Sequence, residues 1–314
     1  MEPIATWTLT DGRAGNARQA QALAEALALP ARAWTLVPRA PWKWLSPRLP
    51  PGAQRAFGDA FSQALEAPPA LAIGCGRQAA LATRLLRRRG ACVVQILHPR
   101  LDTTHWDWVI APEHDDPRGA NVIPLLGSLN PVDDAWLAQS RRDFPHLGEL
   151  PGPRTALLLG GPSAHAGFDA GDFEAIADRL ETLLEREGGS LMATASRRTP
   201  PSVRQALRAR FVDRGLVWCD EGDGANPYPG LLAWADRIVC TPDSVNMLSE
   251  ACATRAPVHV FDPARVRGRP RRFVDALLAR GRIRALDAAL SPFDAEPLRE
   301  TARVAALLRE RLRV

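Results

Sequence analysis

Arg154-Thr155-Ala156-Leu157-Leu158-Leu159-Gly160-Gly161-Pro162-Ser163-Ala164-His165-Ala166-Gly167-Phe168 is the stretch whose reading decides the fold. Six residues of buried-strand character end at a glycine pair. Apolar positions of helical period follow at Phe173, Ile176, Ala177, Leu180 and Leu184, on a helix starting near Asp172. Strand, glycine turn and amphipathic helix are half of a βαβ unit. The same alternation runs almost from end to end. In the first half, strands are expected at Ile4–Thr10, Ala31–Val37, Ala70–Gly74, Ala91–Leu97, Trp108–Ala111 and Val122–Leu126. In the second they are expected at Arg154–Leu159, Ser190–Ala195, Leu216–Cys219, Arg237–Thr241 and Pro257–Phe261. This pattern predicts parallel sheets covered by helices on both faces.

The 314 residues, 46% hydrophobic and 24% charged, are enough for two cores of ordinary size. Phe144–Pro153, rich in Pro and Gly, reads as a hinge between them. The expected division is 1–147 and 148–290, with 291–314 crossing back to the first domain. That tail holds an amphipathic helix over Glu296–Val314. The regular apolar patterning excludes fibrous and disordered classes. Five scattered cysteines without a C-x-x-C pair argue against a disulfide framework and a zinc site. No apolar run approaches the roughly 18 residues of a membrane span, and the first residues do not resemble a signal peptide, so a cytoplasmic protein is expected.

The formal charge of +5 invites a nucleic-acid reading. Lys43 is the only lysine among 40 basic residues, however, which points to coding bias. No nucleic-acid module is present, and Arg84–Arg89 and Arg265–Arg272 read as solvated faces or helix ends. Arg39–Leu49 is different. It sets Trp42 and Trp44 beside Lys43 and several prolines, which suits either a loop packing its tryptophans inward or a lipid headgroup boundary.

In open α/β sheets, ligands sit beyond the carboxyl ends of the strands. Three loops there carry candidate chemistry. The first is Thr10–Asn16, in which Gly12 and Gly15 allow close backbone approach and Asp11 is either a general base or a turn former. Asn16 is expected to cap the helix Ala17–Leu29, paired with Gln19. The second is the Gly160-Gly161-Pro162-Ser163 loop, which is neither a Walker A nor a G-x-G-x-x-G loop. The third is Thr241–Ala251, where Asp243 and Ser244 fall at a helix start able to hold phosphate oxygens. Glu250 lies two turns into that helix, as either a ribose ligand or a solvated residue. Gly74 and Gly76 mark another strand-to-helix turn. Cys75 between them has no nearby histidine to activate it, and His98 stands at a strand's carboxyl end before Pro99.

T-P-D-S-V-x-M-x-S-E-A-C-A-T-x-A-P-V at 241–258, preceded by N-P-Y-P-G-L-L-A-W-A-D-R-I-V at 226–239 and S-R-R-T-P at 196–200, resembles bacterial relatives of the plant "elongated mitochondria" fission protein. D-G-R-A-G-N-x-x-Q at 11–19 and L-L-G-G-P-S at 158–163 fit the same family. Its members are often labelled nucleoside-diphosphate-sugar epimerases. The family is in turn similar to GT-B glycosyltransferases, particularly the N-acetylglucosamine-adding enzyme of peptidoglycan synthesis.

This resemblance implies an α/β, GT-B-like fold of two Rossmann-like domains facing across a cleft, with the nucleotide sugar in the second. It implies that Gly160, Gly161 and Ser163 lie near the diphosphate, Asp243 and Ser244 near the phosphates or sugar, and Glu250 on the ribose. Ser196, Arg197 and Arg198 would reach a phosphate, although adjacent arginines are also often a solvated edge. Asn226 and Tyr228 would border the base or sugar. The first domain, with its Asp11–Asn16 loop and its Gly74 and Gly76 turn, would take the acceptor. Inverting transfer needs a base but, in this fold, no cofactor and no metal. Asn16 stands where the peptidoglycan enzyme has a histidine and is no base, so that role falls to Asp11, with His98 second. The expected function is a nucleotide-sugar-dependent transferase acting on a cell-envelope or lipid-linked acceptor, peripheral on the inner membrane, with no nucleic-acid partner. The alternatives are a nucleotide-sugar 2-epimerase and a non-catalytic adaptor recruiting a partner to a membrane.

Overall fold

The computed structural model describes residues 5–312; Ile4 and Val314, the outer ends of two expected elements, lie outside them. In chain order the strands are β1 Thr6–Thr10, β2 Ala31–Thr35, β3 Leu71–Cys75, β4 Cys92–Ile96, β5 Trp108–Pro112, β6 Val122–Leu125, β7 Arg154–Leu159, β8 Ser190–Ala195, β9 Gly215–Trp218, β10 Arg237–Cys240, β11 Val258–Val260 and β12 Ile283–Ala285. The helices are α1 Ala14–Ala26, α2 Trp42–Leu45, α3 Asp59–Ala64, α4 Arg77–Arg87, α5 Asp134–Asp143, α6 Ala170–Glu187, α7 Pro201–Phe211, α8 Tyr228–Trp234, α9 Val245–Cys252, α10 Arg269–Ala279 and α11 Glu300–Leu312. The expected α/β class holds, and each of the eleven expected strands is present. The twelfth, β12, carries no readable signal: it has three residues at a sheet edge, of which only Ile283 is buried.

The chain forms two compact units, residues 1–131 with 300–314, and residues 132–299. The first unit has a parallel sheet in the order β2-β1-β3-β4-β5-β6. In the second the order is β12-β11-β10-β7-β8-β9, again parallel. Each order reverses once, between β1 and β3 in one unit and between β7 and β10 in the other. A crevice opens at such a reversal because successive connections leave on opposite faces of the sheet.

The division falls at Pro131 and Arg299, where 147 and 290 were expected, because the hinge-like segment is packed. Trp234 of α8 donates its indole N–H to the Phe144 carbonyl (2.9 Å), and Leu147 is fully buried. Phe173, Ile176, Leu180 and Leu184 of α6 join Leu157, Leu159, Leu191, Val203 and Phe211 in the second unit's core. In the first, Leu23 of α1 and Leu27 at its C-cap share a core with Ile73, Val94 and Ile110. Val304, Ala305 and Leu308 of α11 complete that core. Glu300 Oε2 accepts the Leu126 N–H (2.9 Å), and Thr301 Oγ1 accepts the Asn130 N–H (2.9 Å), which ties the end of the chain to its first unit.

Candidate functional site

The β7/β10 junction is built on one buried carboxylate. Gly160 N–H donates to Thr241 Oγ1 (2.8 Å), and Thr241 Oγ1 donates to Asp243 Oδ1 (2.6 Å). Asp243 Oδ2 accepts the Gly161 N–H (3.1 Å) and Nη2 of Arg198 (2.5 Å), whose Nη1 donates to the Gly161 carbonyl (3.0 Å). The Asp243 side chain is 1% exposed, that of Arg198 44%. Such a charge is tolerated because both oxygens of the carboxylate have a donor, one of them a guanidinium. This alters the reading of the glycine pair. Their N–H groups already serve Thr241 and Asp243 and do not form a free anion cradle. A Cβ at Gly160 would lie 2.0 Å from Asp243 Oδ1, and one at Gly161 2.2 Å from the Arg198 carbonyl oxygen. Glycine is required here for close approach of protein to protein.

Ser244 is the N-cap of α9, its hydroxyl accepting the Met247 N–H (3.3 Å), as expected for that turn. The other end of α9 is held by Arg282, a buried residue that donates to the carbonyls of Cys252 (2.9 Å) and Thr254 (2.8 Å). Glu250, on α9, is 4% exposed, so the solvated-residue reading fails.

Ser196 and Ser163 shape their own loops. Ser196 Oγ accepts the Arg198 N–H (3.2 Å), and Ser163 Oγ accepts the N–H groups of His165 (3.2 Å) and Ala166 (3.1 Å). Arg197 and Arg198 are both exposed, but the Arg198 guanidinium is held by Asp243 and the Gly161 carbonyl, so the two adjacent arginines separate into different roles. Asn226 Oδ1 accepts the Tyr228 N–H (3.0 Å) at the start of α8.

Two residues here were not singled out by the sequence. Thr199, buried, bonds the carbonyls of Leu159 (3.2 Å) and Gly160 and so joins the loops after β7 and β8. Arg204 braces the second of these loops through the carbonyls of Ser196 (3.1 Å), Arg197 (3.0 Å) and Thr199 (3.1 Å). Thr199 lies in the S-R-R-T-P stretch, but its partners after β7 are about forty residues away, and Arg204 reads as an ordinary helix residue of α7 whose partners lie five to eight residues back.

The β1/β3 junction of the first unit also holds a carboxylate. Helix α1 starts at Ala14, with Arg13 at the N-cap position and no side-chain cap. Asn16 and Gly15 therefore lie inside its first turn, and the expected capping by Asn16 is corrected. The Asn16 amide instead donates to Asp11 Oδ1 (2.8 Å), which also accepts the Arg13 N–H (3.2 Å). A Cβ at Gly76, where φ is +90°, would lie 2.7 Å from Asn16 Nδ2, so the loops after β1 and β3 meet through this amide. Gly12 also takes a positive φ, of +78°. Gly74 serves packing: its Cβ would collide with Thr83 of α4 at 2.5 Å. Asp11 Oδ2 has only Arg13 beside it (3.5 Å), a side chain 84% exposed and weakly held.

Burial, reinforced by the nearby Asp11 charge, pushes the Cys75 thiol far above its usual range, which makes it an inert core residue. His98 Nδ1 accepts the Arg100 N–H (2.9 Å). The neutral ring then carries its proton on Nε2 and presents a donor, which is the wrong polarity for a base.

A family model described as mitochondrial fission ELM1 matches residues 14–312. The mitochondrial fission protein ELM1 of Arabidopsis thaliana is 29% identical over 274 residues, covering 78% of this chain. This chain spans 64% of the plant protein's length. An uncharacterized protein of Rickettsia prowazekii is 24% identical over 98% of each chain. Among solved structures, the UDP-GlcNAc 2-epimerase of Neisseria meningitidis bound to UDP-GlcNAc superposes with a TM-score of 0.61 at 13% identity, over 98% of this chain and 99% of its own. That is a likeness of fold, and it agrees with the GT-B-like pair of Rossmann-type sheets. On the family match, which runs nearly from end to end, the chain belongs to the mitochondrial fission ELM1 family.

Proposed function

We propose that the second unit binds a nucleotide sugar at the β7/β10 junction and that the protein transfers its sugar, with inversion and without a metal, to a cell-envelope or lipid-linked acceptor at the inner membrane. The observation that carries this reading is the braced frame around Asp243. It fixes Ser244, the start of α9 and the exposed Arg197 beyond the carboxyl ends of the strands, where this class of sheet binds ligands. The fold likeness to a protein solved with UDP-GlcNAc supports the same choice of ligand.

In this reading Ser244, the N-terminus of α9 and Arg197 take the diphosphate. Glu250 takes the ribose diol, and Asn226 and Tyr228 border the base or sugar. Gly160, Gly161, Ser163, Ser196, Arg198 and Asp243 hold the loops in place. The acceptor belongs to the first unit, where Asp11 removes the proton from its hydroxyl. The acceptor oxygen bonds the anomeric carbon as the bond from that carbon to the diphosphate breaks, and the diphosphate leaves with the electron pair. A 2-epimerase needs further free carboxylates beside the sugar, whereas Asp243 is engaged on Thr241, Gly161 and Arg198.

Calorimetry with a panel of nucleotide sugars tests the binding step. One member should bind, and Glu250→Gln should weaken it by about tenfold, the effect of losing one charge-assisted hydrogen bond. A labelled-donor screen against envelope lipids tests the transfer. Failure of every nucleotide sugar to bind overturns the proposal in favour of the adaptor.

A further inference from the structure

The structure assigns a membrane-docking surface to residues 37–48, the strap that follows β2 and carries α2. Among the described residues, four large apolar side chains are exposed: Trp44 (71%), Val37 (61%), Val212 (60%) and Leu45 (39%). Three of them fall within residues 37–45. Between Glu25 and Asp59 the chain has no carboxylate but five cations, Arg32, Arg39, Lys43, Arg48 and Arg55, equal to the +5 excess of the whole sequence. All five are exposed. A carboxylate-free stretch of exposed cations therefore coincides with the one concentration of exposed large apolar side chains among the described residues, which the other arginine-rich runs lack.

The strap is firmly mounted. From α4, Arg84 Nη1 donates to the Pro47 carbonyl (2.7 Å) and Arg77 Nη2 to that of Lys43 (3.2 Å). Ser46 Oγ bonds the Trp42 carbonyl (2.7 Å), and the Trp42 ring packs on the unit's core, which turns Trp44 outward. An outward indole and leucine on a strap that also carries the exposed Arg39, Lys43 and Arg48 match a bilayer of anionic phospholipid. The rings enter the headgroup boundary and the cations meet lipid phosphates. A single exposed tryptophan provides no stacking row for nucleic acid.

This assignment rests on the peripheral placement proposed above, but its test reads lipid and not nucleotide sugar, so either can fail without the other. The full chain is floated with vesicles of phosphatidylcholine alone and of phosphatidylcholine mixed with phosphatidylglycerol. Wild type should float only with the anionic vesicles, and less so as salt is raised. Trp44→Ser should reduce the bound fraction by about tenfold and Lys43→Glu by at least about fivefold, as expected for loss of an apolar anchor and inversion of an interfacial charge. Val212→Ser, in the other unit, should change nothing. Thermal unfolding of each variant establishes that it is folded. No binding of wild type to anionic vesicles, equal binding by Trp44→Ser, or displacement of the protein from vesicles by RNA would each overturn the assignment.

Discussion

The two sheet reversals solve the same problem with different bonding around a largely covered carboxylate, 13% exposed at Asp11 and 1% at Asp243. Each places an aspartate just beyond a strand, with glycines that let loops close around it. Asp243 is sealed, with an arginine, a threonine hydroxyl and a backbone N–H on its two oxygens and 1% of its side chain exposed. Asp11 has one oxygen committed to Asn16 and the Arg13 N–H, while the other faces only an exposed arginine. A carboxylate with both oxygens tied firmly into the frame is a brace, whereas one with an oxygen left to an exposed arginine is free to meet another partner. Charge and sequence position alone do not separate them. Saturation by neighbours does.

The sharpest test of that contrast is Asp11→Asn. Loss of a general base should lower transfer by roughly 10²–10⁴-fold while leaving nucleotide-sugar binding and stability nearly unchanged. Full activity in this variant would remove Asp11 from the mechanism. Asp243→Ala should behave the opposite way, lowering unfolding stability by about 2–4 kcal/mol because Gly161, Thr241 and Arg198 lose their shared acceptor. Denaturant titration of both variants compares them directly, and equal stability losses would erase the distinction between brace and base. The neighbouring glycines should follow the same order. Gly160→Ala meets a pinned carboxylate at 2.0 Å, and Gly76→Ala meets a movable amide at 2.7 Å but carries a positive φ. The latter should cost about 1–2 kcal/mol and the former more.

A smaller effect belongs to neither junction and serves as a reference. His259 of β11 is fully buried, packs edge-on against Phe293 at 5.6 Å, and has neither ring nitrogen hydrogen-bonded. Burial lowers its pKa, with Arg237 and Arg284 adding to the shift and Asp287 opposing it. The folded chain keeps the ring neutral while the unfolded chain takes a proton near pH 6.5. Stability therefore holds above about pH 6.5 and falls below it, by at most about 1.4 kcal/mol per pH unit, until the folded state also protonates. His259→Leu should flatten that slope in urea titrations at different pH. An unchanged slope would place the sensitivity elsewhere.

Much of the scaffold was legible in residues alone. Strand-length apolar runs and helical stripes marked eleven strands and the faces of α1 and α6, because both signals are local periodicities. Ser244 was readable as a cap for the same reason, since its partner lies three residues on. Asn16 shows the limit of that logic. It has the chemistry of a cap, yet the helix starts two residues earlier and its amide serves Asp11. The paired tryptophans show it too: identical residue types two positions apart divide into one packed on the core and one in solvent, decided by where the strap meets the unit beneath it.

The sequence by itself determined the α/β class, the two parallel sheets, the loops at the strand ends and the family. These follow from patterns that repeat over a few residues or from motifs quoted in order. Only the tertiary structure decided the strand orders, the unit boundaries at Pro131 and Arg299, the fate of the glycine pair and the difference between Asp11 and Asp243. The physical reason is distance along the chain. Gly161 and Arg198 reach Asp243 across 82 and 45 residues, and a carboxylate's accessibility depends on which donors the fold delivers to it.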